Sequence, residues 1–203
     1  MFRAIRFSVL AFAIGGFAAA AVAQTAQTTR IRGTIAAMDG QVMIVTTREG
    51  PKLPITLTEP LTVSAVKALD LAAIQPGSYI GAASEVGPDG QLQAIEVLVF
   101  PEAARGAGEG HRDWDLKPGS LMTNATVATA AQGSAGRDVE LTYKDGSKKL
   151  HVPAGAPVVT FVPAERADLK PGAPVFLTAT KNADGSLSAA RVVVGKDGVA
   201  PPM

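Results

Sequence analysis

The densest group of residues that could carry out chemistry lies in one segment near the middle of the chain, residues 100–122. Within it stand five side chains with carboxylate or imidazole groups, namely Glu102, Glu109, His111, Asp113 and Asp115. These groups are common ligands of divalent metal ions, and a loop could gather three of them around one ion. One hypothesis for this segment is therefore a divalent-metal site formed by Glu109, His111, Asp113 and Asp115.

The same segment also has the composition of a solvated loop. Glycine stands at positions 106, 108 and 110, and Arg112 can pair weakly at the surface with Asp113 or Asp115. The chain has no Cys and only two His, and one His with carboxylates competes poorly for zinc. The composition thus favours a solvated loop without a cofactor, and the metal site remains the alternative.

The single Trp of the chain, Trp114, lies in this segment close to Leu116. A free tether between domains is rich in Gly and Ser and polar throughout, whereas these two residues place a large apolar surface before Pro118. We expect Trp114 and Leu116, with Phe100 and Arg112, to dock the linker onto its neighbours. An exposed Trp114 would instead be an anchor for a partner, because aromatic residues are enriched at binding hot spots.

No residues outside this segment form a recognisable catalytic set. His151 is expected on the exposed face of a strand, no Ser stands in a G-x-S-x-G pattern, and there is no Cys nucleophile. The sequence therefore predicts a protein that is not an enzyme.

The first 23 residues have the organisation of a secretory signal peptide. Arg3 and Arg6 precede an uncharged apolar run that ends in Ala21-Val22-Ala23, an A-x-A cleavage pattern. The run contains Gly15-Gly16 and is at the short limit for crossing a bilayer. We expect cleavage near Ala23, a periplasmic or secreted protein, and no membrane span in the rest of the chain.

The charge balance argues against nucleic acid as a partner. The chain has 19 Lys and Arg against 18 Asp and Glu, and removing the leader with its two Arg leaves 17 against 18, a net charge of −1. The face of the second and third predicted strands offers Thr46, Thr47, Arg48, Lys52 and Thr56 but no aromatic side chain on which a base could stack. An unknown protein or cell-envelope component is the expected partner.

The elements that position these residues are mainly strands. Alternation over 30–37, the Asp39-Gly40 turn and a β-branched run over 42–48 predict a hairpin. A third strand near 53–57, a short fourth segment at 63–66, helical turns within 65–74, and strands over 78–86 and 91–100 follow.

The second half of the chain repeats this pattern. Eight residues between positions 76 and 99 recur 95 positions later, including Pro76-Gly77 as Pro171-Gly172 and Asp89-Gly90 as Asp184-Gly185. The predicted fold is all-β: two tandem small OB-like barrels of five to six strands each, with one short helical turn. The barrels should span 30–100 and 122–195 and be joined by an ordered linker, 101–121.

The paired motifs LAAIQPG and RADLKPG, with DGQLQAIEV and DGSLSAARV, resemble those of a family of exported bacterial tandem-barrel proteins of unknown function. Members of the subfamily with a similar linker are often labelled "metal ABC transporter permease". The resemblance implies a fold and a compartment but no activity. The label does not fit the sequence, because a permease needs several membrane-spanning helices and we expect none in the chain after the leader.

Two hypotheses for function remain. The first is a non-enzymatic periplasmic binding or structural module, because tandem barrels without a catalytic set offer edges and loops to a partner. The alternative is a periplasmic metal-binding accessory protein that uses the linker carboxylates and His111.

Overall fold

The computed structural model describes residues 27–133 and 135–201, and the predicted leader and its cleavage site lie outside them. The described residues form an almost entirely β structure, so the predicted all-β class is confirmed. Its strands are β1 (Gln27–Asp39), β2 (Val42–Thr47), β3 (Lys52–Ala68), β4 (Tyr79–Val86), β5 (Leu92–Val99), β6 (Gly110–Asp113), β7 (Leu121–Gln132), β8 (Gly136–Tyr143), β9 (Gly146–Pro153), β10 (Val158–Pro163), β11 (Pro174–Lys181) and β12 (Leu187–Val194).

The helical content of the described residues consists of short 3-10 turns, at Leu71–Ala73, Glu102–Ala104 and Arg166–Asp168. None of the described helices has the length and apolar character that crossing a bilayer requires.

The Asp39-Gly40 hairpin forms as expected, because Gly40 adopts a positive φ of 54° that a tight two-residue turn requires. The helical turns predicted within 65–74 are wrong in their first part. Residues 65–68 continue β3, where Ala65 and Val66 are buried and pair with β10, and only Leu71–Ala73 is helical. Tertiary pairing outweighs the helical spacing of apolar residues here.

Five strands form a closed barrel, which we call barrel A, in the order β12-β11-β1-β2-β3. Parallel pairing of β12 with β3, from Leu187 opposite Ile55 to Val194 opposite Ala65, closes the ring. Inward-facing aliphatic side chains of all five strands fill its core, among them Ile31, Ile35, Met43, Val45, Ile55, Leu57, Leu177 and Val192.

The other ring, barrel B, has the order β5-β4-β7-β8-β9. It is closed by a short parallel pairing, Leu92 opposite Leu150 and Gln93 opposite His151. Its core contains Ile74, Ile80, Ala82, Val97, Ala125, Val127, Leu141, Leu150 and Val152.

The prediction that 30–100 and 122–195 each close their own barrel is contradicted by the strand pairing. Barrel A takes β1, β2 and β3 from the first segment and β11 and β12 from the second, and barrel B takes the remaining barrel strands. The reason is that β3 extends to Ala68 and its last residues pair with β10, so the chain leaves barrel A before β4 begins. Barrel B is therefore built from one continuous stretch, whereas barrel A joins both ends of the described chain.

The two barrels meet across a buried group of side chains that we call the interbarrel cluster: Val66, Ala83, Leu98, Met122 and Val159. Strand β10 lies at this junction, because it pairs antiparallel with β3 and parallel with β5. Since the cluster joins residues of both rings and excludes water from them, its burial stabilises one relative orientation of the barrels.

Candidate binding site

The linker between β5 and β7 is held on barrel B by hydrogen bonds. Strand β6 pairs antiparallel with β7, from Gly110 opposite Asn124 to Asp113 opposite Leu121. The carbonyl of Ala107 accepts hydrogen bonds from the Asn124 amide at 2.9 Å and from the Tyr79 hydroxyl at 3.2 Å. These bonds fix the chain where it turns from barrel B towards barrel A.

Trp114 follows β6 directly and packs against the interbarrel cluster together with Leu116 and Phe100. Its backbone is fixed by Ser120, whose carbonyl accepts from the Trp114 amide at 2.8 Å and whose hydroxyl donates to the Trp114 carbonyl at 3.0 Å. The linker residues expected to dock thus contact the surface where both barrels meet.

Arginine side chains surround the indole ring. The guanidinium of Arg30 lies 3.9 Å from the Trp114 ring centroid, and those of Arg112 and Arg32 lie at 5.6 and 5.8 Å. Arg112 also donates a hydrogen bond of 2.7 Å to the Gly108 carbonyl. A guanidinium within about 6 Å of an indole face is attracted by the ring quadrupole, so Arg30 of β1 attaches the linker to barrel A.

Asp115 adds ion pairs to this contact. Its carboxylate accepts a hydrogen bond of 2.8 Å from Arg32 and one of 3.3 Å from Arg30. Partial burial by itself raises the pKa of Asp115, but the hydrogen bond and charge of Arg32 and the charge of Arg30 outweigh it, so the pKa lies below its ordinary value. Asp115 is therefore charged at neutral pH.

A cleft of about 430 Å³ opens beside this contact. Its walls are the free edge of β1, the turn between β2 and β3, and the linker after Trp114; the lining residues include Arg30, Arg32, Arg48, Glu49, Leu53, Asp115 and Leu116. Arg48 and Glu49 are exposed, and no side chain among the described residues pairs with either. The cleft lining as a whole carries three positive charges against two negative ones.

Three of the four residues proposed as metal ligands have other partners. The His111 Nδ1 lies 2.8 Å from the Thr123 hydroxyl, Glu109 accepts from the Lys144 backbone amide at 3.0 Å, and Asp115 pairs with the arginines. Burial, followed by the charge of Lys148, lowers the pKa of His111. No group of three or more metal-ligating side chains occurs within residues 27–133 and 135–201, and Asp113 stands on β6 apart from any such group.

His151, expected on an exposed strand face, is half-buried on β9, and its Nδ1 lies 2.7 Å from the Asp138 carboxylate. Sequence reasoning missed a more informative set, the arginines at positions 30, 32 and 48. The sequence contains a signal for them: Arg30 and Arg32 are two residues apart on the outer face of β1, and Arg48 directly follows β2. The nearby aromatic ring, that of Trp114, comes from the linker and packs against the interbarrel cluster.

Comparison with protein-family models, curated proteins and solved structures finds no match to this chain. The resemblance to exported tandem-barrel proteins therefore stays a prediction.

Proposed function

We propose that this protein is a non-enzymatic binding module, exported to the periplasm after removal of its leader, that recognises a protein or other component of the cell envelope. The observation that carries the proposal is the cleft beside Trp114. Three arginines line it, Arg48 has no side-chain partner among the described residues, and the walls come from β1, the β2–β3 turn and the linker. Concave sites with a few convergent polar groups are the usual places of ligand binding.

The rigid framework around the cleft also supports binding. The linker is tied to barrel B through β6 and to barrel A through Arg30 and Arg32, so the cleft walls keep their positions before a ligand arrives. A site that is already formed loses less conformational freedom when it binds. The tandem arrangement then serves to hold one wall of the site against the other.

A photo-crosslinking amino acid at position 49, on the cleft rim, tests the proposal in cells. The matched control is position 144, which is likewise exposed and lies in the turn between β8 and β9, the equivalent turn of barrel B. We expect one adduct that forms at position 49, is absent at 144 and is lost when Arg48→Glu is added. The bound component should have an unchanged mass after incubation with the protein. Equal adducts at both positions, or a chemically altered component, would contradict the proposal.

A further inference from the structure

The first strand of each barrel has the same two-part pairing. In barrel B, the first half of β7 pairs with β4 and its second half pairs with β8. In barrel A, the first half of β1 pairs with β11 and its second half pairs with β2. Thr123 of β7 and Ile31 of β1 occupy equivalent positions. Thr123 lies opposite Ala82, and Ile31 lies opposite Leu177, which follows Ala82 by 95 residues.

The two first strands differ at their outer edge. On β7, residues Leu121–Asn124 are covered by β6. The equivalent residues of β1 are Thr29–Arg32, and over the first half of β1 no strand within the described chain pairs with the edge opposite β11. This open edge forms one wall of the cleft. Barrel A therefore lacks the strand that barrel B obtains from the linker.

The open edge presents backbone groups to the cleft. The Arg32 carbonyl accepts a hydrogen bond of 3.1 Å from the Arg48 amide, on the side away from β11. Backbone groups of a strand point alternately to its two sides, so the amides and carbonyls of Arg30 and Thr28 also point away from β11. Unpaired edge groups of this kind are a template for another strand.

The side chains beside this edge select for negative charge. Arg30, Arg32 and Arg48 line the cleft against Asp115 and Glu49, and the Asp115 carboxylate is already bound to two of these arginines. The Arg32 side chain is only 10 % exposed, and its Nε has no hydrogen-bond partner in the described structure. An acidic ligand would therefore meet positive charge that the chain itself leaves incompletely paired.

We propose that an extended, acidic peptide segment of a partner protein binds in this cleft as an added strand, antiparallel to β1 along Thr28–Arg32. The segment occupies on barrel A the place that β6 occupies on barrel B. This inference rests on the proposed function, because it names the partner of the same cleft. Backbone hydrogen bonds to Thr28 and Arg30 supply the affinity, and acidic side chains facing Arg30 and Arg48 supply the selectivity, as in other cases of strand addition.

Synthetic peptides with blocked ends test the inference by calorimetric titration of the whole chain. The probe is an octapeptide that alternates Thr and Glu, and the charge control alternates Thr and Lys. Two further versions of the probe carry N-methyl groups on all Thr or on all Glu, which removes alternate sets of backbone donors. We expect the Thr-Glu peptide to bind at least tenfold more tightly than the Thr-Lys peptide. At least one N-methylated version should lose at least tenfold in affinity.

Backbone signals give a second readout of the same titration. Addition of a strand should slow hydrogen exchange of the Thr28 and Arg30 amides, and the fluorescence of Trp114 should change because Arg30 stacks on its ring. Binding of the probe with no change in these two amides would overturn the proposal in favour of simple anion binding. Equal affinity of both N-methylated versions and the parent peptide would do the same.

Two variants and one control locate the site. Arg48→Glu, at an exposed side chain without a partner among the described residues, and Thr28→Pro, which removes an edge donor, should each weaken binding of the probe at least tenfold. Arg191→Glu makes the same charge change at an exposed position of β12 and should leave affinity within twofold. Loss of binding in all three variants alike would contradict the location.

The outcomes separate this inference from the proposed function. An adduct at position 49 without binding of any peptide would reject strand addition while the binding module stands. Binding of the Thr-Glu peptide with all its controls, but without an adduct in cells, would reject the cellular role while strand addition stands. Dimers of the chain that are abolished by Thr28→Pro would show that a second copy occupies the edge, and would overturn the proposal.

Discussion

Barrels A and B have the same arrangement of five strands but reach it differently. Barrel B is continuous in sequence, and the linker covers the edge of its first strand with β6. Barrel A is assembled from both ends of the described chain, and the edge of its first strand is open. The difference shows how a duplicated pattern can acquire two roles: one barrel anchors the linker, and the other keeps a vacant strand position beside the arginines.

Separating the two barrels tests most directly whether they fold independently. A fragment of residues 69–160 contains every strand of barrel B and its whole buried core. We expect it to fold as a monomer with a dispersed amide spectrum. Fragments 24–100 and 120–203 each contain strands of both barrels and a complete ring of neither, so each should be unfolded as a monomer.

Fragments 24–100 and 120–203 also serve as controls for the size of a fragment. Even with a complete core, a domain of about 70 residues is only marginally stable. A folded, monomeric 24–100 would show that this segment can close on itself. The exchange of strands would then arise from the interbarrel cluster and not from the pairing of β3 with β10.

The next prediction concerns a methyl group at equivalent positions of the two first strands, β1 and β7. Gly33 of β1 and Ala125 of β7 occupy equivalent positions, because they lie opposite Val175 and Ile80, which are 95 residues apart. A Cβ at Gly33 would overlap the Thr46 carbonyl oxygen, whereas the fully buried Ala125 already carries a Cβ. We expect Gly33→Ala to reduce the free energy of unfolding by about 3 kcal/mol, at the upper end of overpacking in a core.

The matched variant Ala125→Gly should reduce the free energy of unfolding by about 1–2 kcal/mol, because glycine in a strand loses more conformational freedom on folding and a buried methyl group is removed. Chemical denaturation of both variants checks the pair. A Gly33→Ala protein as stable as the parent would show that β2 can move away from β1, and that the two first strands are not held equally tightly.

Local features of this fold could be predicted from the sequence because they depend on neighbouring residues. The Asp39-Gly40 hairpin, the β-branched run of β2 and the alternation of β1 specify turns and faces directly. The partner of each barrel strand could not be predicted. Five strand patterns in each half are equally compatible with self-closed and exchanged barrels, since the choice depends on nonlocal pairing of β3 with β10.

Only the linker residues of the candidate site could be predicted from the sequence, for the same reason. Trp114 and Leu116 were identified because an apolar pair is unusual in a polar linker. Arg30 and Arg32 have the spacing of the polar face of a strand. Their neighbouring sequence does not indicate that the indole of Trp114 stacks on one of them. Sites assembled from a linker and a strand more than 80 residues away require the tertiary structure.

The smallest expected effect concerns β6, the strand that barrel A lacks. Burial lowers the pKa of His111 on β6, with a further contribution from Lys148 and an opposing one from Asp113. A folded-state pKa below the ordinary value of 6.5 means that the unfolded chain takes up the proton first. The contribution of neutral His111 to the free energy of unfolding is therefore fully present above pH 6.5, and it is lost as the pH falls from 6.5 through the folded-state pKa. Asp115 acts in a separate window, because its lowered pKa affects stability only below about pH 3.8.

We therefore expect the melting temperature of the parent protein to fall more between pH 7.5 and pH 5 than that of His111→Asn, which keeps a polar side chain near Thr123 but does not titrate. The two proteins differ only at position 111, so the difference between the two curves isolates His111. Hydrogen exchange adds the location: the amides of β6 and of Leu121–Asn124 should lose protection at pH 5 before those of β1 and β11 do, after correction for the intrinsic exchange rate at each pH. Parallel melting curves for the two proteins, or equal loss of protection in both barrels, would show that His111 does not control the attachment of β6. The covered edge of barrel B would then be held by the pairing of β6 with β7 and by the hydrogen bonds of Ala107 and Glu109, without a contribution from the protonation of His111.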